Sequence, residues 1–206
     1  MKTIDTTHYD QPFIDFYQSH PALYAQSLQT RVATIADYFL NQPYQFEPLG
    51  EGEQGRYSTL PLYRGDQFDC VTFVNTVLAM VHASDLQQFQ QSFVKIRYLN
   101  QQIDYTQRSD WFTDLEWNPH LQNLGYIKDI TATFVDKDNQ PVAKIATAII
   151  NKPDYYIQKT ITDLNLPQLS ETEFENRLAE LKAEGKKFNA ISSFLSYIPF
   201  SAFFKR

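Results

Sequence analysis

The chain has 206 residues, and this length favours a single domain, since one hydrophobic core commonly serves ~100–200 residues. Apolar residues make up 43% and charged residues 20%, which excludes a disordered or collagen-like chain. Acidic residues outnumber basic ones by 24 to 18, for a net charge of −6, and this balance disfavours the phosphate-neutralising surface of a duplex-binding protein. Nucleic acid is therefore not an expected partner.

Cys70 is the only cysteine in the sequence, which excludes an internal disulfide and a structural zinc site built on two to four thiolates. No apolar run approaches the roughly 18 to 20 residues of a membrane span, and the first residues lead into polar sequence without the apolar core of a signal peptide. Because an export signal can have been removed ahead of the start methionine, both an exported and a cytoplasmic location stay open.

The N-terminal segment, residues 1–45, is predicted to be helical. Apolar side chains recur there at steps of three and four residues, which predicts a helix over residues 21–41 with one apolar face. The residues of this face are Tyr24, Leu28, Val32, Ile35 and Phe39. Three glycines then mark a loop: Gly50, Gly52 and Gly55.

A second helix is predicted to begin near Asp69, and a third to cover residues 85–93. The residues expected to face inward on the second helix are Val71, Val74, Val77, Leu78 and Val81. Residues 94–110 hold two short β-compatible pieces. An irregular segment continues to about residue 125 and is long enough to be functional.

Alternating apolar and polar residues predict a β-hairpin with strands at 130–134 and 142–150. Ser170 and Glu173 have the spacing of a capping box, and Gly185 suits the end of the helix that they begin. Helices followed by strands indicate an α+β fold. The aromatic tail, residues 186–206, is expected to pack on its own domain, with a partner- or membrane-binding surface as the less favoured alternative.

Cys70 is the most informative position, because it falls at the predicted start of the second helix. Unpaired N–H groups and the positive end of the helix dipole favour the thiolate there, and the thiolate is the nucleophile. The same N–H groups can stabilise the oxyanion of a tetrahedral intermediate. The alternative is a small buried apolar residue, and the neighbouring Asp69 either caps the helix or opposes the thiolate by like charge.

A cysteine hydrolase also needs a base, commonly a histidine. His82 lies twelve residues along the same predicted helix, roughly 18 Å from Cys70 at ~1.5 Å per residue, and is excluded. His8 and His20 precede the helix and would have to fold back over the thiol. His120, in the long irregular segment, is the candidate base, and its alternative is an ordinary surface residue.

Asp129 and Asn118 are candidates for orienting the imidazole through its other ring nitrogen, although each also suits a turn or a strand edge. Five residues in the segments flanking Cys70 and His120 are candidate substrate contacts. Arginine can pair bidentately with a substrate carboxylate, and aromatic rings can cover a sugar or peptide face. These five residues, each of which also suits ordinary packing, are Tyr63, Arg64, Arg108, Trp111 and Trp117.

Several motifs carry a resemblance to cell-wall hydrolases. DCVTFV at residues 69–74 resembles the Asp-Cys-Ser-Gly-Phe-Val type motif of NlpC-type peptidases, papain-like enzymes whose cysteine opens a helix packed on an antiparallel sheet. PLYRGDQFDCVTFV at residues 61–74 resembles more closely a bacterial branch of N-acetylmuramoyl-L-alanine amidase-like proteins. With RSDW at 108–111, EWNP at 116–119 and GYIKDIT at 125–131, the similarity covers roughly residues 60 to 150.

The resemblance implies one papain-like amidase domain over residues 1–206, with an α+β fold in which the catalytic helix packs on an antiparallel β-sheet beside additional helices. It implies cleavage of the amide between N-acetylmuramic acid and L-alanine, or of a nearby bond in the stem peptide, with Cys70 as nucleophile and no metal or organic cofactor. Related sequences carry a histidine shortly after the arginine that matches Arg108, where this chain has Asp110. The base therefore stays open between His120, an upstream histidine and a loss of activity.

Two other functions remain as alternatives. A stem-peptide endopeptidase would use the same nucleophile with a different pocket, and a catalytically inactive binding module would keep the groove to hold peptidoglycan. A membrane-associated protein that uses the aromatic tail ranks behind both. A cell-wall substrate predicts action in the periplasm or outside the cell, or in the cytoplasm on imported fragments.

Overall fold

The computed structural model describes residues 7–204 and confirms an α+β fold with a small antiparallel sheet. Its helices are α1 (Thr7–Ser19), α2 (Leu28–Tyr38), α3 (Cys70–Val81), α4 (Leu86–Arg97), α5 (Asn118–Asn123), α6 (Lys152–Ile157) and α7 (Glu171–Gly185). Its strands are β1 (Lys144–Asn151) and β2 (Ala190–Tyr197). None of the helices in the described range is both long and apolar enough to span a lipid bilayer.

The described residues divide into two compact units, each formed by two stretches of chain. The first unit contains residues 7–108 and 160–178, and the second contains residues 109–159 and 179–204. The assignment of the whole chain to one domain stays a prediction.

In the first unit, α3 packs against both α2 and α4, and α1 packs against α4. Aromatic rings fill the space between these helices, where Phe13 stacks on Phe89 at 4.2 Å between ring centroids. Both side chains are fully buried. Arg31 of α2 donates to the carbonyl of Val81 at 2.8 Å, so a neighbouring helix satisfies an orphan carbonyl at the C-terminal end of α3. Helix α3 is thereby held between its neighbours in a packed helical scaffold.

The N-terminal helix prediction is correct in type and wrong in extent. Residues 21–41 form a short 3₁₀ turn, Leu23–Ala25, and then α2. Ser27 separates them because its hydroxyl oxygen accepts the N–H of Thr30 and caps α2. Helix α1 falls in the N-terminal segment predicted to be helical, although its bounds were not predicted and Pro12 lies within it. Residues 1–6 lie outside the described residues.

The helix at Asp69 is confirmed, but its buried face is only partly as predicted. Val77 and Val81 are buried, whereas Val74 is exposed. The rest of the buried face is formed by three polar residues, one small residue and one methionine: Thr72, Asn75, Thr76, Ala79 and Met80. Helix α4 begins after its cap Asp85 as predicted and continues to Arg97, so of the two predicted β pieces only a single bridge between Tyr98 and Arg108 forms.

The predicted β-hairpin is wrong in its pairing. Thr131–Thr133 forms a 3₁₀ turn, and the turn after it closes a single bridge, between Val135 and Pro141. Strand β1 instead pairs in antiparallel register with β2 from the aromatic tail, with Ala148 opposite Ser193. Pro141 has no N–H to extend the local ladder, and β2 supplies eight uninterrupted partners for β1.

The second unit is built around this two-stranded sheet. Strand β2 packs against α6 and against a π-helical turn, Thr113–Trp117. The tail thus packs partly on its own unit, as predicted, although Phe194 and Phe200 are 66% and 77% exposed. The capping-box spacing before α7 is confirmed, since Glu173 accepts the N–H of Ser170 at 2.8 Å.

Candidate active site

Cys70 is the first residue of α3, and its side chain is exposed. The alternative of a buried apolar cysteine is therefore wrong. As the first residue of a twelve-residue helix, Cys70 lies among backbone N–H groups that have no intrahelical acceptor. This position can present a nucleophile and oxyanion donors on one rigid element.

Asp69 fixes the start of α3 with both carboxylate oxygens. Oδ1 accepts the N–H of Thr72 at 2.7 Å and its hydroxyl at 2.8 Å, which completes a capping box. Oδ2 accepts the N–H of Glu47 at 3.2 Å. The carboxylate next to the thiol is thus turned toward local donors, as the capping interpretation expects.

A short irregular segment runs beside the start of α3, joined to it by a single bridge between Tyr44 and Phe68, and we call residues 43–47 the strap. Phe68 donates its N–H to the carbonyl of Pro43 at 3.0 Å, and Gln45 donates its N–H to the carbonyl of Phe68 at 2.9 Å. The strap ends at Glu47, whose φ of +47° lies in the left-handed region that non-glycine residues seldom adopt. Backbone strain of this kind is concentrated at binding and catalytic sites.

A cavity of about 270 Å³ opens beside the strap within the first unit. Arg64 lines it and makes a bidentate pair with Asp66, at 2.6 and 2.7 Å. This pair, helped by the nearby charge of His8, lowers the pKa of Asp66. Arg64 therefore faces this cavity with its guanidinium already oriented by a carboxylate, and its contact with a substrate stays a prediction.

Arg108 lines the same cavity, but a buried partner occupies its guanidinium. Both it and Glu51 are 3% exposed, and they pair bidentately at 2.6 and 2.9 Å. The guanidinium also lies over the ring of Tyr105 at 4.4 Å. These contacts give Arg108 a structural role, and its direct contact with a substrate carboxylate stays a prediction.

Tyr63 lies in the aromatic core of the helices and lines a second cavity of about 990 Å³ in the first unit. Its ring packs edge-on against Phe13 and Phe89. Its hydroxyl donates to Asp10 and accepts from Gln90 at 2.5 Å. Burial, followed by the bond to Asp10, raises the pKa of this hydroxyl. Tyr63 thus packs the scaffold and reaches a cavity at the same time.

The other predicted catalytic residues belong to the second unit. His120 is partly buried on α5, which continues directly from the π-helical turn, so this segment is helical and the prediction of an irregular one is wrong. Asn118 donates its amide to Asp114 at 3.2 Å. Asp129 accepts the N–H of Thr131 at 2.8 Å, and hydrogen bonding from Thr131 lowers the pKa of its carboxyl. Catalytic roles for these residues stay predictions.

Trp111 and Trp117 also lie in the second unit, and both are partly buried. The Lys159 ammonium lies 4.8 Å from the ring centroid of Trp111, and the ring of Tyr155 lies at 5.5 Å. Trp117 ends the π-helical turn. Trp111 therefore has a packing role, and substrate contact by either tryptophan stays a prediction.

Three histidines other than His120 lie in the first unit with Cys70. His82 directly follows the last residue of α3, at the opposite end from Cys70, as its exclusion requires. His20 stacks on Phe16 at 4.5 Å between ring centroids. His8 lies on α1, close enough to Asp66 to affect its pKa. His8 is thus an upstream histidine that lies close to a residue of the 61–74 motif.

Sequence reasoning missed two features of this site. Glu51 is a lone acid in a glycine-rich loop, and nothing in its local pattern indicates the buried pair with Arg108. The strap carries two strongly exposed rings, those of Tyr44 and Phe46. Aromatic residues between Pro43 and Pro48 could have indicated a surface segment, but no periodic signal places them beside Cys70.

Comparison with known proteins supplies the family. A family model described as AmiA-like, N-acetylmuramoyl-L-alanine amidase-like, matches residues 34–205. The chain belongs to this family. Membership supports an amidase-like hydrolase role toward peptidoglycan-type substrates, and a search of curated proteins found no match.

Two solved structures resemble this member of the amidase-like family. A protein of the DUF1460 family from Legionella pneumophila strain Philadelphia 1 is 39% identical, with a TM-score of 0.90 over 98% of this chain and 67% of its own. An N-acetylmuramoyl-L-alanine amidase from Bacteroides uniformis is 20% identical, with a TM-score of 0.55 over 84% of this chain and 65% of its own. The second likeness concerns the fold alone, and the chain spans about two thirds of each relative.

Proposed function

We propose that the chain is a cysteine-dependent amide hydrolase of the NlpC-type, papain-like class, which cleaves the bond between N-acetylmuramic acid and L-alanine in peptidoglycan fragments. The observation that carries the proposal is the exposed Cys70 at the start of α3, capped by Asp69, in a chain of the amidase-like family. The solved Bacteroides uniformis relative bears the name of this activity.

The proposed reaction has two steps. The Cys70 thiolate attacks the amide carbonyl, and the tetrahedral intermediate expels the amine of L-alanine, which takes a proton from the protonated base. The resulting thioester is attacked by a water that the same base deprotonates, which releases the carboxylate and restores the thiol. Backbone N–H groups at the start of α3 donate to the oxyanion in both steps. The reaction requires no metal or organic cofactor.

His120 is the proposed base, with Asp129 as the group that orients it. The upstream alternative is His8, which belongs to the same unit as Cys70. Replacing each histidine by alanine distinguishes the two candidates, because only the variant that lacks the base loses turnover. If only His8→Ala abolishes turnover, the assignment of His120 is wrong.

The direct test is mass spectrometry of purified muropeptides incubated with the wild-type protein and with Cys70→Ala. We expect free stem peptide from the wild type alone, and the masses of the products identify the bond that is cleaved. A cut between stem-peptide residues would replace the amidase assignment by the endopeptidase alternative. No release from intact or anhydro-sugar fragments would contradict the proposal for those substrates.

One observation supports a catalytically inactive binding module as the second candidate. The resemblance to the amidase-like family implies a histidine at the position of Asp110, so the base has no direct match in this chain. Alkylation distinguishes the two functions, because a binding module has no need of an activated thiol. A Cys70 that reacts with iodoacetamide no faster than a model thiol would favour the module.

The enzyme is proposed to act in the periplasm or outside the cell, or on imported fragments in the cytoplasm.

A further inference from the structure

We propose that the strap is the saccharide subsite of this enzyme: the rings of Tyr44 and Phe46 stack on the sugar of the muropeptide, and the adjacent cavity receives the polar substituents of that sugar. This inference rests on the proposed function, because it assigns one half of the proposed substrate to a surface beside Cys70.

The strap is fixed relative to the nucleophile by main-chain hydrogen bonds. Its two bonds with Phe68 and the bond from Glu47 to Asp69 join it to the two residues that directly precede Cys70. A group bound on the strap is therefore held next to the thiol by the rigid start of α3. A substrate held in a fixed position next to the nucleophile reacts faster, because less entropy is lost in reaching the transition state.

The two rings are presented to solvent. Tyr44 is 71% exposed and Phe46 is 67% exposed. Tyr44 and Phe46 flank Gln45, whose N–H is bonded to Phe68, so both exposed rings lie on the short segment beside the start of α3. A scattered apolar side chain is ordinary on a protein surface, but paired rings beside a reactive group are typical of a ligand-binding groove.

The lining of the cavity next to this surface suits a neutral polar ligand. Phe46 and a set of hydrogen-bonding residues line it together, and the latter include Glu47, Arg64, Gln67, Asp163 and Asn165. Its volume of about 270 Å³ lies just below the roughly 300–1,000 Å³ of pockets for drug-sized ligands, so it suits the substituents of one ring. Apolar surface with a few polar groups is the usual composition of such a site.

Charge favours the sugar over the acidic stem peptide at this position. The two arginines that line the cavity are engaged by Asp66 and Glu51. Glu47 and Asp163 add two further carboxylates to its wall. A stem-peptide carboxylate would meet this excess of negative charge, whereas a neutral N-acetylated sugar carries hydroxyl and amide groups that bond to either sign of partner.

The test compares two substrates with the same scissile amide, a muropeptide and the corresponding D-lactoyl peptide, which lacks the sugar ring. We expect Tyr44→Ala and Phe46→Ala each to raise the KM for the muropeptide by about 3- to 10-fold, with kcat/KM for the lactoyl peptide unchanged within about twofold. Tyr44→Phe and Phe46→Tyr keep the rings and should keep the KM. Phe194→Ala, at 66% exposure in the second unit, is the matched control and should change neither.

Equal losses on both substrates, or no loss on either, would overturn the proposal. Failure of the proposed function is measured separately, by calorimetry of the methylamide of N-acetylmuramic acid, a neutral sugar probe, and of the muropeptide binding to Cys70→Ala. If the wild type cleaves nothing but this variant binds the sugar, and Phe46→Ala weakens that binding, the subsite stands without the amidase. If Cys70→Ala binds the muropeptide but not more tightly than the lactoyl peptide, the sugar makes no contribution and the proposal fails.

Discussion

At the residue scale, Asp69 has two tasks that one substitution can separate. One oxygen caps α3 through Thr72, and the other holds the strap through Glu47. Asp69→Ala loses both bonds and should lower the free energy of unfolding by about 2–3 kcal/mol, whereas Asp69→Asn keeps the cap and should lose about 1 kcal/mol. Urea denaturation measures both values. The exposed Asp37→Ala should stay within about 0.5 kcal/mol, and equal losses in the two Asp69 variants would contradict the division of tasks.

The buried pair of Arg108 and Glu51 leads to a second prediction at this scale. Arg108→Met leaves the Glu51 carboxylate without its main partner and should cost about 3–5 kcal/mol. Adding Glu51→Gln removes the stranded charge and should recover part of that loss. A double-mutant cycle by urea denaturation measures the coupling. Additive effects would mean that the two groups, although 2.6 Å apart, do not stabilise the fold through each other.

Asp66 supplies a prediction of pH dependence. Its folded-state pKa is lowered by Arg64, so the unfolded chain binds a proton more readily than the folded one below about pH 4. The stabilisation is thus fully present above the unfolded pKa and is lost as the pH falls through the folded pKa. We expect the urea midpoint to drop less between pH 5 and pH 3 in Asp66→Asn than in the wild type. An identical drop in both proteins would show that the pair has no effect on acid stability.

The contacts that were predictable from the sequence are those between residues close together in the chain. Asp69 and Thr72 cap α3 from within one turn, so the start of that helix, and with it the exposed thiol, was predictable. Glu51 lies 57 positions from Arg108, and pairing over that separation leaves no periodic pattern. Glu47 adopts a positive φ that its residue type does not indicate.

At the scale of elements, the same contrast separates helices from strands. The helices α3, α4 and α7 begin at caps a few residues away, and their starts were predicted correctly. Strand β1 was predicted near its observed position, but the predicted pairing partner was wrong. The observed partner, β2, follows β1 in the sequence only after α6 and α7. A strand pattern fixes which side chains share a face and leaves the identity of the neighbouring strand undetermined.

Engineered disulfides can test this pairing. Ile149 lies opposite Ser192, where β-carbons on one face are about 4.5–5.5 Å apart. In a Cys70→Ala background, Ile149→Cys with Ser192→Cys should oxidise to a crosslink, detected by mass spectrometry after proteolysis. Ile149→Cys with Ser193→Cys places the thiols on opposite faces and should not. Crosslinking of the second pair in preference to the first would show that the register is shifted.

At the scale of the whole molecule, the chain connects its two units repeatedly. It leaves the first unit after residue 108, returns at residue 160 and leaves again after residue 178, within α7. Neither unit is a continuous stretch of sequence. Because each unit is formed by two stretches of chain, no single linker separates one unit from the other. This connectivity favours the single cooperative domain predicted from the length.

Two probes that occur in different units test that cooperativity. Both tryptophans lie in the second unit and the single cysteine lies in the first. A fluorophore on the exposed Cys70 and the fluorescence of Trp111 and Trp117 therefore report on the units separately during urea unfolding. We expect coincident midpoints and a single transition, because loss of α7 removes residues from both units. Two separated midpoints would contradict the single-domain prediction and would assign a distinct stability to each unit.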